Sequence, residues 1–460
     1  MTESCIDTVL IANRGEIALR AVNTCRALGL RSVAVYSTAD ATSPHVTAAD
    51  TAICIGPPSA TLSYLSVPAL LHAAIHTGCN AIYPGYGFLS ENADFARKCE
   101  DNGIKFIGPS ADTIATMGDK AKARETAAQL GVPVVPGSDN AFTRDDEAFA
   151  VADNIGYPLL LKARAGGGGR GMRVVESSGQ FVNAFSQASR EAESAFCDGA
   201  MYMERFLPRI RHIEVQVLGD GLGHAVAFDE RDCSVQRRHQ KLVEESPSPV
   251  VDAALRTQLL QAALSLTRGI NYTGAGTVEF ILDVESKAFY FIEMNTRIQV
   301  EHPVTELRTG IDLVAAQFRI AAGEGLSSFE RSDIQQGHAI EFRINAENWH
   351  SDFQPSPGLI HAWEVPRGEG IRLDTAVSVN QMVTPYYDSM IAKLIVHGTD
   401  RMDAIDRARA ALAAFHCGGI ATTIDFHRFL IEHDDYMNNN IHTRWIEDVL
   451  LADEPVRLSV

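Results

Sequence analysis

Lysine is scarce in this chain. Only eight of its forty basic residues are Lys (98, 105, 120, 122, 162, 241, 287 and 393), and thirty-two are Arg. An excess of positive charge is also missing: 58 acids against 40 bases leave a net charge of −18, with no basic stripe. That balance speaks against a nucleic-acid binder, and any anion must be held by locally placed cations. No apolar stretch approaches the ~18 residues needed to cross a membrane. The opening MTESCIDTVLIANRGE sets acids ahead of its apolar run and reads as neither signal nor transit peptide. The eight cysteines (5, 25, 54, 79, 99, 197, 233 and 417) form no C-x-x-C pair and fit no zinc spacing. A chain of 460 residues buries enough core to do without disulfides. Reduced thiols and a cytoplasmic location are therefore expected. There is no internal repeat, no low-complexity tract and no G-x-x-x-x-G-K-[ST] phosphate loop.

What is present is ordinary folded-protein composition, 46% hydrophobic and 21% charged, with length for about three domains. Short apolar runs at 8–12, 32–37, 80–85 and 104–110 alternate with helical spacing, as in residues 15–29. That pattern predicts a parallel sheet with crossover helices in an α/β domain over 1–110. Residues 111–134 read as a helical connector. Residues 135–206 form a compact Gly-rich stretch, with strands at 158–163, 172–177 and 201–207 and a helix over 179–196. From 207 to 460 the strands lengthen and alternate, which predicts an antiparallel sheet with helices at its end.

Between two of those strands lies AGGGGRG (165–171). It contains G-x-G-x-x-G, but a strand follows it rather than a helix, so it is no dinucleotide fingerprint. A Gly-rich hairpin tip can fold over phosphates and donate backbone N–H groups, and Lys162 just before it can reach the same phosphates. Four consecutive glycines carry a high backbone entropy cost, which favours a functional loop over a bland one.

The most informative segment is FIEMNTRIQVE (291–301). Glu293, Asn295, Arg297, Gln299 and Glu301 occupy alternate positions, so in an extended chain they line one face. Acids, amides and an Arg interleave there, unlike the Lys, Thr and Ser of a solvated face. Glu279, on a preceding strand, is placed to face Glu293. Two carboxylates and an amide oxygen suit Mg²⁺. Arg297 offers a planar fork for a small carboxylate-like anion, and Glu301 a candidate general base beside it. In HAIEFRINAE, Glu341, Arg343 and Asn345 share one face, with Arg343 a second fixed cation. RDCSVQRRHQK (231–241) fits a buried anion site better than a surface patch, because two acids follow it. Cys233 within it reads as a buried thiol.

These segments together resemble the biotin carboxylase family of the ATP-grasp superfamily. The resemblance rests on IANRGEIALR (11–20), PGYGFLSEN (84–92), MGDK (117–120), GGGGRGM (166–172), ERDCSVQRRHQK (230–241), EMNTRIQVEHPVTE (293–306), EFRINAE (341–347) and PYYDSM (385–390). It runs from about residue 6 to 450. It implies a three-part ATP-grasp architecture mixing α/β and α+β: a Rossmann-like N-terminal domain (1–110), the connector (111–134), a Gly-rich lid (135–206), and an ATP-grasp core with the C-terminal domain (207–460). The implied reaction makes carboxyphosphate and ADP from ATP and bicarbonate, then moves the carboxyl group to N1 of biotin.

By the same resemblance, Lys120, Lys162, Gly168, Gly169 and Met172 belong with the ATP phosphates and lid. Glu204, Arg205 and Leu207 belong with adenine, and His212, Gln236 and His239 lie along the nucleotide. Glu279, Glu293 and Asn295 match the positions for Mg²⁺ (or Mn²⁺). Lys241, Arg297, Gln299 and the Val300 backbone match the bicarbonate pocket. Glu301 matches the base, and Arg343 the group that stabilises the biotin enolate. Arg164 and Ala165 replace the usual Ser and Gly before the glycines, and Tyr83 stands where His is usual. No Met-Lys-Met occurs, so biotin is expected on a separate carrier protein, with a carboxyltransferase as further partner and a homodimer as the assembly. Two rivals share the nucleotide machinery: another ATP-grasp carboxylate ligase and a silent nucleotide-binding subunit. Arg343 with the Arg297, Gln299 and Glu301 set discriminates against the first, and retention of every matched acid, Lys and Arg speaks against the second.

Overall fold

A computed structural model of the chain describes residues 6–138, 140–164, 172–196, 198–329 and 336–452. It divides into two compact units, one of Met1–Val132, Arg211–Leu282 and Ile292–Val460, the other of Pro133–Ile210 and Asp283–Phe291.

The first unit opens with strands β1 (Thr8–Ile11), β2 (Arg31–Ser37), β3 (Thr51–Gly56), β4 (Ala81–Tyr83) and β5 (Lys105–Phe106). All pair in parallel, in the order β3-β2-β1-β4-β5. The central β1 is an unbroken apolar run rather than an alternating one, as a strand covered on both faces requires. Helix α1 (Gly15–Ala27) crosses from β1 to β2 and buries Ile17, Val22 and Cys25. Tyr83 lies fully buried on β4, its hydroxyl donating to Gln317 Oε1 at 3.2 Å and its ring 5.0 Å from that of Phe318. Packing therefore accounts for it. Helices α2 (Ala111–Gly118) and α3 (Lys120–Gln129) follow.

The unit's second sheet has nine strands: β9 (Ile210–Asp220), β10 (Ala225–Ala227), β11 (Arg231–Arg237), β12 (Gln240–Ser246), β13 (Thr273–Asp283), β14 (Phe289–Asn295), β15 (His338–Asn345), β16 (Ile371–Thr375) and β17 (Met390–Gly398). Their order is β14-β13-β9-β11-β12-β15-β17-β16, with β10 on β9. The β12–β15 and β15–β17 pairings are antiparallel. Register opposes Glu244 to Glu341, and Arg343 to Lys393. Directly opposed residues share a face, so these four charges lie on one side of the sheet. Ile340, Phe342 and Ile344 join a core with Leu394, Val396 and the C-terminal helical residues Ala408, Leu412 and Leu430. A one-residue slip would exchange those two faces.

The second unit carries a three-stranded antiparallel sheet, β7-β6-β8, made of β6 (Leu159–Ala163), β7 (Met172–Val175) and β8 (Met201–Arg205). Helices α4 (Asp145–Ile155) and α5 (Ser178–Phe196) cover it over Leu159, Leu161, Val175, Phe181, Phe185 and Met203. The glycine loop, including Ala165, Gly168 and Gly169, lies outside the described residues. Among the described residues no helix is long and apolar enough to cross a membrane, and Cys25, Cys54, Cys79, Cys99, Cys233 and Cys417 are free thiols.

Candidate active site

The polar segment 291–301 corrects one expectation. It is not extended throughout: β14 ends at Asn295, and residues 296–301 turn into helix α6 (His302–Thr309). Two local causes act. Pro303 in the first turn has the φ a helix start needs. Glu91 captures the bend, its carboxylate accepting from Thr296 N at 3.2 Å and Arg297 Nε at 2.9 Å. Gly310, at φ +67°, closes the helix in the left-handed conformation that glycine adopts at no steric cost. The polar residues still converge, through a turn and not a flat face. Arg297 donates to Gln299 Oε1 at 2.8 Å and to Asn295 Oδ1 at 3.0 Å.

Glu279 on β13 is the point of convergence. Its Oε1 accepts from Asn295 Nδ2 at 2.8 Å, Gln299 Nε2 at 2.9 Å and Lys241 Nζ at 3.1 Å. Its Oε2 faces His212 Nε2 at 2.8 Å. Lys241 on β12 reaches two further carboxylates, Glu301 Oε1 at 2.7 Å and Glu214 Oε2 at 2.6 Å. The other oxygen of Glu301 accepts from Arg343 Nη2 at 3.0 Å, and Arg343 Nε is held by Glu244 at 2.6 Å. Arg231, buried behind, binds Glu214 and donates to Gln216 at 2.9 Å and Thr305 at 3.0 Å. Lys393 ties the turn from another side, donating to the Val300 carbonyl at 2.8 Å and pairing with Glu16 at 3.0 Å.

This is a dense set of charges with almost no solvent, Glu214 and Glu301 being 0% exposed. Burial pushes the Glu301 carboxyl up, but Lys241, Arg343 and Arg231 outweigh it and hold it well below the usual carboxylate range. Glu279 behaves alike, with Lys241 and His212 overcoming burial. Burial opposes the Lys241 charge, yet the carboxylates of Glu214, Glu279 and Glu301 hold the ammonium well above its ordinary value. The acids outnumber the cations, so some keep their protons. Burial raises Glu244 to about 7 despite Arg343, and raises Glu341 well above the usual range. Like charges facing each other in a dry site cannot both ionise, and these two are directly opposed. The Cys233 thiol lies 3.7 Å from Glu301, and burial keeps it protonated, which makes it an inert packing group.

The structure brings Lys241, Arg297, Gln299, Glu301, Arg343, Glu279, Asn295 and His212 into this cluster. Glu293 instead pairs with exposed Lys120 at 3.5 Å. Gln236 is buried on β11, and His239 is exposed in the β11–β12 turn at φ +64°. In the second unit Lys162 pairs with Glu204, residues the resemblance gave to phosphate and adenine respectively. There too Arg205 N donates to Pro136 O at 2.8 Å, Leu207 is partly buried and Met172 is exposed. Arg164 binds Asp198 through two nitrogens, at 2.8 and 3.1 Å. Sequence reasoning missed Glu214, Arg231, Glu244, Lys393 and Glu91. For Glu214 a signal existed, since His212, Glu214 and Gln216 alternate with the apolar Ile213, Val215 and Val217.

Three family models match the chain in succession: the biotin carboxylase N-terminal domain over residues 5–114, the carbamoyl-phosphate synthase L chain ATP-binding domain over 119–329, and the biotin carboxylase C-terminal domain over 341–448. The biotin carboxylase of a Nostoc species is 50% identical over 96% of this chain and 99% of its own length. The chain belongs to the biotin carboxylase family. Its fold agrees with solved biotin carboxylases. One from Campylobacter jejuni, in a complex with a β-γ-ATP ligand, is 48% identical, covers 96% of this chain and 98% of its own, and superposes with a TM-score of 0.88. The biotin carboxylase domain dimer of Hydrogenobacter thermophilus 2-oxoglutarate carboxylase, holding MgADP, ADP and bicarbonate, is 45% identical over 98% of this chain and 99% of its own, with a TM-score of 0.87. The Glu279–Lys241–Glu301–Arg343 cluster thus sits in a biotin carboxylase fold, within a chain that covers 98–99% of the length of these relatives.

Proposed function

We propose that this chain carboxylates biotin, carried on a separate protein, at the expense of ATP and bicarbonate. One observation carries the assignment of roles: Glu301 is shut from solvent with one oxygen on Lys241 and the other on Arg343. A base, an anion-binding ammonium and a guanidinium fork converge on one place.

In this reading bicarbonate is held by Lys241, Arg297, Gln299 and the Val300 N–H. Its oxygens take over the donors that hold Glu301, and Glu301, freed of them, becomes basic enough to accept the bicarbonate proton. The bicarbonate oxygen attacks the γ-phosphorus, the bond to ADP breaks, and carboxyphosphate forms. Arg343 then stabilises negative charge on the ureido oxygen as biotin N1 gives up its proton and takes the carboxyl group, the bond to phosphate breaking so that inorganic phosphate leaves. Glu279, Glu293 and Asn295 would hold Mg²⁺ or Mn²⁺. Their oxygen donors fit a hard cation, and the four hydrogen-bond donors gathered on Glu279 show a carboxylate built to face positive charge. The bound metal supplies charge neutralisation at the phosphates. Lys120, Lys162, Gly168, Gly169, Met172, Glu204, Arg205, Leu207, Gln236 and His239 make up the proposed nucleotide set. A carrier protein, a carboxyltransferase and a second copy of this chain are the proposed partners, in a reducing cytoplasm.

ADP release from the purified chain tests the proposal. Turnover with Mg-ATP is expected to require bicarbonate, to rise with free biotin, and to be lost in Arg343→Ala. Binding of ATP with no bicarbonate-dependent turnover would overturn it.

A further inference from the structure

The turn that carries Val300 and Glu301 is clamped from behind. The carbonyl of Gln299 lies 2.7 Å from His302 Nδ1 and also accepts from the His302 backbone N at 3.4 Å. Residues 299–302 therefore close a turn with Val300 and Glu301 at its centre. A carbonyl oxygen only accepts, so Nδ1 must carry the ring proton. The next carbonyl, that of Val300, accepts from Lys393 Nζ at 2.8 Å. His302 and Lys393 are both 0% exposed. Among the described residues the cis peptides are 157–158 and 246–247, so both peptides of this turn are trans. In a planar trans peptide the C=O and N–H point in opposite directions. Fixing the Gln299 oxygen on the imidazole aims the Val300 N–H away from it, and fixing the Val300 oxygen on Lys393 does the same for the Glu301 N–H.

A second observation separates this histidine from packing. His302 Nε2 is buried without a hydrogen-bond partner among the described residues. A buried polar atom left unpaired costs free energy that an apolar side chain of similar shape would avoid. The ring is therefore a poor choice for stability, and what it supplies instead is a directional donor.

We propose that His302 is a positioning residue for the bicarbonate step, its Nδ1–H holding the Gln299 carbonyl so that the Val300 N–H meets the bicarbonate oxygen. This rests on the biotin carboxylase reading above. The ring stays neutral for reasons of environment. Burial, together with Lys393, Arg372 and Arg20, lowers its pKa well below the ordinary value. The acids nearby are engaged with those same cations, Glu306 and Asp374 with Arg372, Glu306 with Arg20, and Glu16 with Lys393. The clamp is thus independent of pH across the working range.

The test compares steady-state KM values for bicarbonate and ATP in the full chain, wild type against His302→Leu and His302→Asn. Loss of one directed hydrogen bond predicts a bicarbonate KM raised about tenfold in His302→Leu, with the ATP KM unchanged within about twofold. His302→Asn, whose amide N–H can reach the same carbonyl, should recover most of the loss. A folded His302→Leu with wild-type bicarbonate KM, or with both KM values raised in parallel, would overturn the proposal. Selective ¹⁵N labelling of wild type covers the case of a variant that does not fold. The ring should be the neutral Nδ1–H tautomer from pH 6 to 8, and the Val300 amide should shift on adding bicarbonate. An Nε2–H tautomer, a ring titrating near its ordinary value, or an unmoved Val300 amide would each refute it. A wild type with no bicarbonate-dependent turnover would instead refute the parent reading, while the tautomer would still report on the clamp.

Discussion

Lys241 and Lys162, two of only eight lysines, meet their carboxylates in opposite ways. Lys241 in the first unit is buried among Glu214, Glu279 and Glu301, and each of those acids has a further partner. Lys162 in the second unit pairs, among the described residues, with one carboxylate, Glu204, and the two side chains are 36% and 26% exposed. The first arrangement fixes charge in place before any ligand arrives. That is what electrostatic catalysis needs, because preorganised dipoles cost no reorganisation at the moment of reaction. The second leaves a cation that water and ligand can reach, and its one partner is easily exchanged. The small unit holds a provisional ion pair where the large unit holds a permanent one.

The largest effect that would sharpen this contrast is catalytic. Glu301→Gln keeps the size of the side chain but removes both its charge and its basicity. Bicarbonate-dependent ADP release should fall by roughly 10²–10⁴-fold. Fluorescent-nucleotide titration should show ATP binding little changed. A loss confined to ATP binding would break the assignment of Glu301 to the bicarbonate side.

Next comes stability. Lys241→Met leaves three buried carboxylates without the ammonium they share. Removing one partner of a buried charge set costs about 3–5 kcal/mol, to be read from urea unfolding at pH 7. Lowering the pH should narrow the deficit, since protonated carboxyls no longer need the cation. A deficit that grows as pH falls would show that the carboxylates are not the cause.

Much of this cluster was legible before the fold was known, and the reason is composition more than periodicity. An Arg, two amides and two acids within 293–301 cannot be an ordinary sheet face, and that holds even though the strand stops at Asn295. What the sequence hid is register. Glu244 holds Arg343 across 99 residues, Glu91 holds Arg297 across 206, and Lys393 holds the Val300 carbonyl across 93. No local pattern marks such partners, because each depends on which strands lie side by side. Glu214 differs: its alternation with His212 and Gln216 was visible, and a carboxylate between apolar neighbours asks for a buried cation. Tyr83, odd in the sequence, is explained by Gln317, another partner no spacing could supply.

A smaller effect concerns the support of Arg343. His427 is buried behind it, with Nε2 2.7 Å from the Arg343 carbonyl, and burial lowers its pKa to about 4. The unfolded chain protonates this ring near its ordinary value of about 6.5. Between the two values the unfolded state binds more protons, so the stabilisation is full above about 6.5 and is lost as pH falls toward 4. His427→Gln keeps a donor and removes the titration. The stability difference between wild type and variant should therefore shift against wild type by at most about 3 kcal/mol over that window. A difference flat in pH would mean that the ring takes up its proton alike in the folded and unfolded states.

The smallest expected effect is the one that tests the contrast itself. A half-exposed ion pair is worth about 0.2–1 kcal/mol, because water screens it and side-chain entropy opposes it. A double-mutant cycle of Lys162→Met and Glu204→Gln, followed by urea unfolding, should give a coupling of that size or less. The corresponding cycle of Lys241→Met and Glu301→Gln should give several times more, because there the surviving partner is left buried and charged. Were the Lys162–Glu204 coupling as large as the Lys241–Glu301 coupling, the small unit's pair would be a fixed structural element. The account of Lys162 as a cation held ready for a ligand would then fall, while the bicarbonate cluster would stand untouched.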